Sequence, residues 1–95
     1  MIKYVFSCYD SKAGLYSNPF LAISVEIAER DFAVACNDAK TDLYVHSSDY
    51  SLVLLGEFDD ETAHFKNALP LTIGTASSYF NKDLFARINQ QTDIS

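Results

Sequence analysis

The fold is decided by residues 24–37, which read SVEIAERDFAVACN. Ser24 is a favourable N-cap, because its hydroxyl can accept a hydrogen bond from a free backbone N–H of the first helical turn. Apolar residues then recur at three- and four-residue spacing, which predicts one amphipathic helix over Val25–Asn37. The buried face of this helix consists of Val25, Ala28, Phe32, Ala35 and Cys36. The outward face consists of Glu26, Glu29, Arg30 and Ala33.

Two strands are predicted before this helix. Ile2–Tyr9 alternates with period two over residues that favour strands. Leu15–Phe20 returns as its antiparallel partner across a turn at 10–14 that ends in Gly14. Because Pro19 cannot donate a hydrogen bond to a ladder, the second strand is expected to lie at a sheet edge or to end there.

Further strands are predicted after the helix. Residues 39–49 are polar and mixed and predict a loop, whereas Tyr50–Phe58 begins with a nearly continuous apolar run that is typical of a central strand. Ala63–Lys66 is its predicted hairpin partner, and Leu69–Ile73 is a further short strand with Pro70 at an edge or bend. A last short helix is indicated by Leu84, Phe85 and Ile88, before a fraying end at Gln90–Ser95.

The predicted elements define the fold class. Their order is β-β-α-β-β within a single domain, residues 1–95, and one amphipathic helix packs on one face of an antiparallel sheet, which is an α+β arrangement. The other sheet face must then meet water, another subunit or a ligand. We expect a homodimer, because association would stabilise a small core whose sheet is bare on one side.

Composition and charge narrow the class of protein. The chain has 95 residues, of which 48% are hydrophobic, too many for intrinsic disorder. No apolar run approaches the roughly 18 residues that cross a bilayer, and no basic leader precedes an apolar stretch. We therefore expect no membrane partner and a cytoplasmic location.

The formal net charge is −6, which argues against a strongly basic nucleic-acid-binding domain. The acidity is concentrated in residues 24–61, where ten acidic side chains stand against Arg30 and Lys40. If a phosphate backbone is bound, the binding surface must come from the two end segments, residues 1–23 and 62–95.

Signatures of catalysis and of metal binding are missing from the sequence. It holds three glycines and no phosphate-binding loop, nucleophile elbow or paired-histidine zinc motif. Cys8 and Cys36 are far apart and fall on predicted apolar faces, and His46 and His64 are isolated. We therefore predict a non-enzymatic protein with no catalytic residue, no metal site and no cofactor.

Aromatic residues supply the candidate site. Single-stranded nucleic acid is bound by aromatic faces that stack on bases and by nearby cations that neutralise phosphates. The predicted N-terminal hairpin offers both, and strand alternation puts Lys3 on the face of Tyr9 and away from Tyr4. The candidate nucleic-acid-binding residues are Lys3, Tyr9, Lys12 and Tyr16. The same aromatic residues could instead fill the core or a dimer interface.

Five short blocks of sequence, in order, resemble a known viral family. Together they cover Tyr9–Asp60, whereas the segment after Ile73 carries no such block. The blocks are Tyr9-Asp10-Ser11-Lys12-Ala13, Pro19-Phe20-Leu21-Ala22, Ala35-Cys36-Asn37-Asp38, Ser48-Asp49-Tyr50-Ser51-Leu52 and Leu55-Gly56-Glu57-Phe58-Asp59-Asp60. They are similar to the small non-structural protein of the gokushoviruses, tailless single-stranded DNA phages of the microvirus group.

This resemblance implies a phage protein that is absent from the mature capsid and that acts in single-stranded DNA synthesis or packaging in the cytoplasm of a bacterial host. The expected partner is single-stranded DNA, bound without sequence preference. An alternative is a protein-interaction module that engages the phage replication initiator, the procapsid or a host factor. Its acidic helix face would then attract a basic partner through Glu26, Glu29 and Asp31.

Overall fold

The architecture is an antiparallel sheet that carries one long helix on one face. The structure is a computed structural model that describes residues 1–79. The short helix predicted around Leu84–Ile88 and the fraying end at Gln90–Ser95 lie outside the described residues.

All five strands pair antiparallel in one sheet. The central strand β1 pairs with β2 and β3 on one side and with β4 on the other, and β4 pairs with β5. The antiparallel sheet and the α+β class predicted from the sequence are therefore confirmed; the predicted β-β-α-β-β order becomes β-β-β-α-α-β-β, because the second predicted strand is divided and a short second helix follows the first. The strands are β1 (Ile2–Asp10), β2 (Leu15–Tyr16), β3 (Phe20–Ala22), β4 (Tyr50–Asp59) and β5 (His64–Thr75).

The predicted strand Leu15–Phe20 is divided in two by the segment 17–19. Pro19 has no N–H to donate, so the ladder is interrupted there. Ser17 keeps this edge attached to β1, because its backbone N–H donates to the Cys8 carbonyl at 2.9 Å and its Oγ accepts from the Cys8 N–H at 2.9 Å. The prediction of an edge at Pro19 is confirmed, and pairing with β1 resumes at Phe20.

The main helix is α1 (Val25–Cys36), one residue shorter than predicted. Its N-cap is Ser24, whose Oγ accepts from the Ile27 backbone N–H at 3.2 Å. A second helix, α2 (Asp42–Val45), lies in the segment that the sequence predicts to be a loop. Thr41 caps it by accepting from the Tyr44 backbone N–H at 3.2 Å.

The core lies between α1 and the sheet. Phe6 of β1 and Leu52 of β4 meet the buried face of α1, and residues 76–79, which are helical, close one end. The buried members are Phe6, Ala28, Phe32, Cys36, Leu52, Ala76 and Tyr79. Cys36 is fully buried, as predicted for a core residue, and burial raises the pKa of its thiol to about 11.

The opposite side of the sheet is called here the reverse face, and on β1 it carries Lys3, Val5, Ser7 and Tyr9. Its centre is buried, because Val5 and Ser7 of β1 and Val53 of β4 are all buried side chains. The expectation of a bare reverse face therefore applies only toward its two ends.

Candidate nucleic-acid interface

A pair of tyrosine rings lies at one end of the reverse face. Tyr9 of β1 and Tyr16 of β2 are cross-strand partners, with ring centroids 4.7 Å apart and planes inclined at 45°. Tyr16 is 50% exposed and Tyr9 is half-buried. The sequence prediction thus selected two rings that the fold brings into contact, and one of them offers much of its surface to a ligand.

The turn between β1 and β2 fixes this pair and places a cation beside it. Asp10 Oδ1 accepts hydrogen bonds from the backbone N–H groups of Lys12, at 3.0 Å, and Ala13, at 3.2 Å. Gly14 has a φ of 71°, in the left-handed region that glycine tolerates best. Lys12 is exposed and forms no ion pair within residues 1–79. Its ammonium group is therefore available to a phosphate.

Lys3 lies at the other end of β1, away from the tyrosine pair. It is six positions from Tyr9, which is about 20 Å along a strand. Its Nζ is 3.5 Å from Asp60 Oδ2 in the turn between β4 and β5. The Met1 amino group, which bonds Asp60 Oδ1 at 2.8 Å, lowers the pKa of that carboxyl, and Lys3 adds to the effect. The structure therefore does not bring Lys3 together with Tyr9, Lys12 and Tyr16.

A second aromatic pair lies near Lys3 on the reverse face. Phe58 of β4 and Phe65 of β5 are cross-strand partners with ring centroids 4.8 Å apart, and Lys3 is the Cα partner of Phe58 on β1. These rings were not among the candidate residues predicted from the sequence, although their positions in the predicted hairpin partners Tyr50–Phe58 and Ala63–Lys66 could have indicated the pair. The neighbouring carboxylates of Asp59 and Asp60 make this end unfavourable for phosphate.

A cleft of about 350 Å³ opens at the Lys12 end, and no local sequence pattern indicated it. Tyr50 is the Cα partner of Asp10 on β4, and strand alternation places both on the helix-bearing face. Partial desolvation raises the pKa of Tyr50, and the carboxylates of Asp10, Asp42 and Asp49 add to the effect. The lining residues are Asp10, Lys12, Ala13, His46, Asp49 and Tyr50. The cleft therefore offers hydrogen-bond acceptors, with Lys12 as its cation.

The acidic helix face predicted for a protein partner is smaller than expected. Glu26 and Asp31 are exposed, as predicted. Glu29 is half-buried instead, because its Oε2 accepts a 2.6 Å hydrogen bond from the Tyr79 hydroxyl. Ala33, also predicted to face outward, packs against the core. The exposed acidic residues of α1 are therefore Glu26 and Asp31.

Residues 1–79 contain no cluster of three or more His, Cys, Asp or Glu side chains that could hold a metal ion. None of the helices found there is both long and apolar enough to span a bilayer.

Together these features define a small two-layer α+β protein that presents paired aromatic rings beside a lysine. The chain belongs to the Phage ORF5 protein family, whose family model matches residues 3–79. No curated protein and no solved structure matches the chain. The family match spans nearly all of the described residues, and it confirms the phage assignment that the resemblance predicted.

Proposed function

We propose that this phage protein is the non-enzymatic, non-structural protein of a gokushovirus-type microvirus and that it binds single-stranded DNA during viral DNA synthesis or packaging in the host cytoplasm. The sequence blocks between Tyr9 and Asp60 support the viral group, and membership of the phage family is consistent with it. The observation that carries the binding proposal is the accessible Tyr9–Tyr16 ring pair with the unpaired Lys12 in the adjoining turn.

The geometry suits weak binding without sequence preference. Every base has a π face, so stacking on Tyr16 contributes about 1–3 kcal/mol whatever the base is. Lys12 can neutralise one phosphate, whereas the net charge of −6 repels the rest of the strand. We therefore expect affinities in the micromolar range or weaker, with a shallow dependence on salt.

The test is fluorescence anisotropy of a labelled thymidine oligonucleotide, titrated with the full chain at several salt concentrations. Contact with one or two phosphates predicts a slope of log K against log salt of about −0.7 to −1.4. Tyr16→Ala is expected to weaken binding, whereas the matched change at the opposite end of the reverse face, Phe65→Ala, is not. Absence of binding at about 100 μM protein, or equal effects of the two changes, would contradict the proposal.

A protein-interaction module is the second candidate, favoured by the outer surface of α1. Ile27 and Val34 are exposed and seven residues apart, so they lie on one side of the helix, with Asp31 beside them, Glu26 further around, and Arg30 as the one base of α1. Apolar residues within an acidic surface are suited to a basic protein partner, which would be the phage replication initiator, the procapsid or a host factor. Nuclease-resistant recovery of a basic phage protein from infected cells, abolished by Ile27→Asp, would favour this candidate over DNA binding.

A further inference from the structure

The middle of β5, in the β4–β5 hairpin, carries a protrusion. Register along β4 and β5 shifts between the pairs Leu54–Leu71 and Gly56–Asn67, so residues 68–70 bulge out opposite Leu55. Leu69 stands at the middle of this bulge with 90% of its surface exposed. A leucine this exposed places apolar surface in contact with water, and burial against another surface would remove that contact.

An apolar cleft of about 220 Å³ lies beside this protrusion. It opens on the helix-bearing face of the sheet, across β1, β4 and β5. We call it the hairpin cleft, and its apolar lining comes from Tyr4, Leu54, Gly56 and Ala68. Gly56 lets the backbones of β4 and β5 approach closely at this cleft, because a Cβ there would overlap the Lys66 carbonyl oxygen. The volume is ample for one leucine side chain.

Opposite charges flank the hairpin cleft. Tyr4, Glu57 and Lys66 are Cα partners in one row across β1, β4 and β5. Glu57 and Lys66 form no ion pair with each other or with another residue among residues 1–79. The same small surface thus holds a protruding leucine, a cleft that accepts one, an unpaired acid and an unpaired base.

A surface that carries both halves of each contact is complementary to itself, as a two-fold symmetric interface requires. We propose that this surface of the β4–β5 hairpin is a homodimer interface, in which Leu69 of each copy enters the hairpin cleft of the other and Glu57 of each copy faces Lys66 of the other. This proposal does not depend on DNA binding.

The size and the edge of β5 agree with such an interface. A strand of twelve residues is about 40 Å long, so a strip about 20 Å wide along it reaches the roughly 800 Å² per partner of a stable complex. The residues of β5 from His64 to Thr72 are all exposed. Pro70 and the bulge prevent a continuous strand-to-strand ladder, so side chains must make the contact.

The first test measures the oligomeric state of the full chain by sedimentation equilibrium over a concentration series. Leu69→Asp is expected to raise the dimer dissociation constant at least about a hundredfold, because two leucines lose their burial. The matched control Leu15→Asp, an exposed leucine on β2, should leave the constant unchanged. A wild-type chain that is monomeric at several hundred micromolar, or a dimer that is insensitive to Leu69→Asp, would overturn the proposal.

Charge reversal provides a second test that does not depend on Leu69. Glu57→Lys and Lys66→Glu alone each place like charges across the interface, and each should weaken dimerisation about tenfold or more. When the two variants are mixed in equal amounts, both cross-interface pairs become opposite in sign, although the pairs within each chain stay mismatched. Recovery of association in the mixture supports the interface, and no recovery overturns it.

Discussion

The ring of Tyr79 lies directly against Gly74 of β5. A Cβ added to Gly74 would be 2.6 Å from Tyr79 Cε2 and 2.8 Å from the Tyr79 hydroxyl oxygen. The same ring meets Phe32 of α1 edge-on, with centroids 5.4 Å apart, and its hydroxyl donates to Glu29. Tyr79 therefore joins the helix layer to the sheet layer, and the missing side chain at Gly74 makes room for it.

Gly74→Ala is expected to lower the free energy of unfolding by about 1–3 kcal/mol, because the new methyl group displaces the Tyr79 ring. Urea denaturation measures the change. In a Tyr79→Leu background the same substitution should cost much less, since the obstructing ring is gone. Gly14→Ala is the matched control. Its added Cβ meets nothing within 4 Å, so the substitution costs only the strain of a positive φ. The loss of stability should therefore be equal in the wild-type and Tyr79→Leu backgrounds.

Tyr79→Phe is expected to lower stability by about 1 kcal/mol at neutral pH, because the hydrogen bond to the half-exposed Glu29 is lost. Burial, and then the bond to Glu29, raises the pKa of Tyr79 above its ordinary value of 10. Above pH 10 the unfolded tyrosine therefore loses its proton while the folded one keeps it, so stability falls as pH rises.

The alkaline loss of stability should be shallower in Tyr79→Phe than in the wild-type chain, as measured by urea midpoints between pH 7 and pH 11. Tyr50, whose pKa is also raised, contributes part of the decline, and Tyr50→Phe isolates that part. Parallel curves for the wild-type chain and Tyr79→Phe would show that the buried phenol does not govern the alkaline limit.

Ser24→Ala should lower stability by about 1 kcal/mol, because the Ile27 N–H loses the acceptor that caps α1. The measurement is again urea denaturation at neutral pH. Ser48 is exposed in a turn, so Ser48→Ala should change stability by less than about 0.5 kcal/mol. Equal effects of the two substitutions would argue against the cap.

For the proposed DNA interface, Tyr16→Phe should keep most of the affinity for a thymidine oligonucleotide, because stacking uses the ring and not the hydroxyl. Tyr16→Ala should lose about tenfold. Lys12→Gln should reduce the magnitude of the salt slope by about 0.7, the share of one phosphate contact. An unchanged slope for Lys12→Gln would place the phosphate contact elsewhere.

Local patterns predicted the main elements of this fold. Period two identified β1, and apolar spacing with a Ser24 cap identified α1, because both signals repeat over several turns or residue pairs. The helix α2 was missed, since four residues complete barely one turn and show no periodicity. Its one local signal is Thr41, a residue type that favours helix N-caps.

The second hairpin shows the effect of tertiary context on strand boundaries. The sequence predicts a break between Lys66 and Leu69, whereas the structure has one continuous strand, His64–Thr75. β5 lies at the edge of the sheet that residues 1–79 form, and Pro70 has no partner on β4, so its missing N–H leaves no ladder hydrogen bond unmade. The bulge at residues 68–70 absorbs the irregularity.

The candidate site was predictable only where its residues are neighbours along the hairpin. Tyr9, Lys12 and Tyr16 are held together by one turn, so a local pattern finds them. Lys3 forms an ion pair with Asp60, and Glu29 accepts a hydrogen bond from Tyr79. In each case the partner lies about fifty residues or more away in sequence. Such long-range pairs are set by the packing of the whole chain.

Because Cys36 is buried, the rate at which its thiol is alkylated reports how often the core opens. A thiol that is enclosed between α1 and the sheet and keeps its proton at neutral pH resists alkylation. A reagent can modify it only in molecules whose two layers have momentarily separated, so the rate of labelling counts opening events in an otherwise native population. Cys8, only half-buried, offers a faster internal reference within the same molecule.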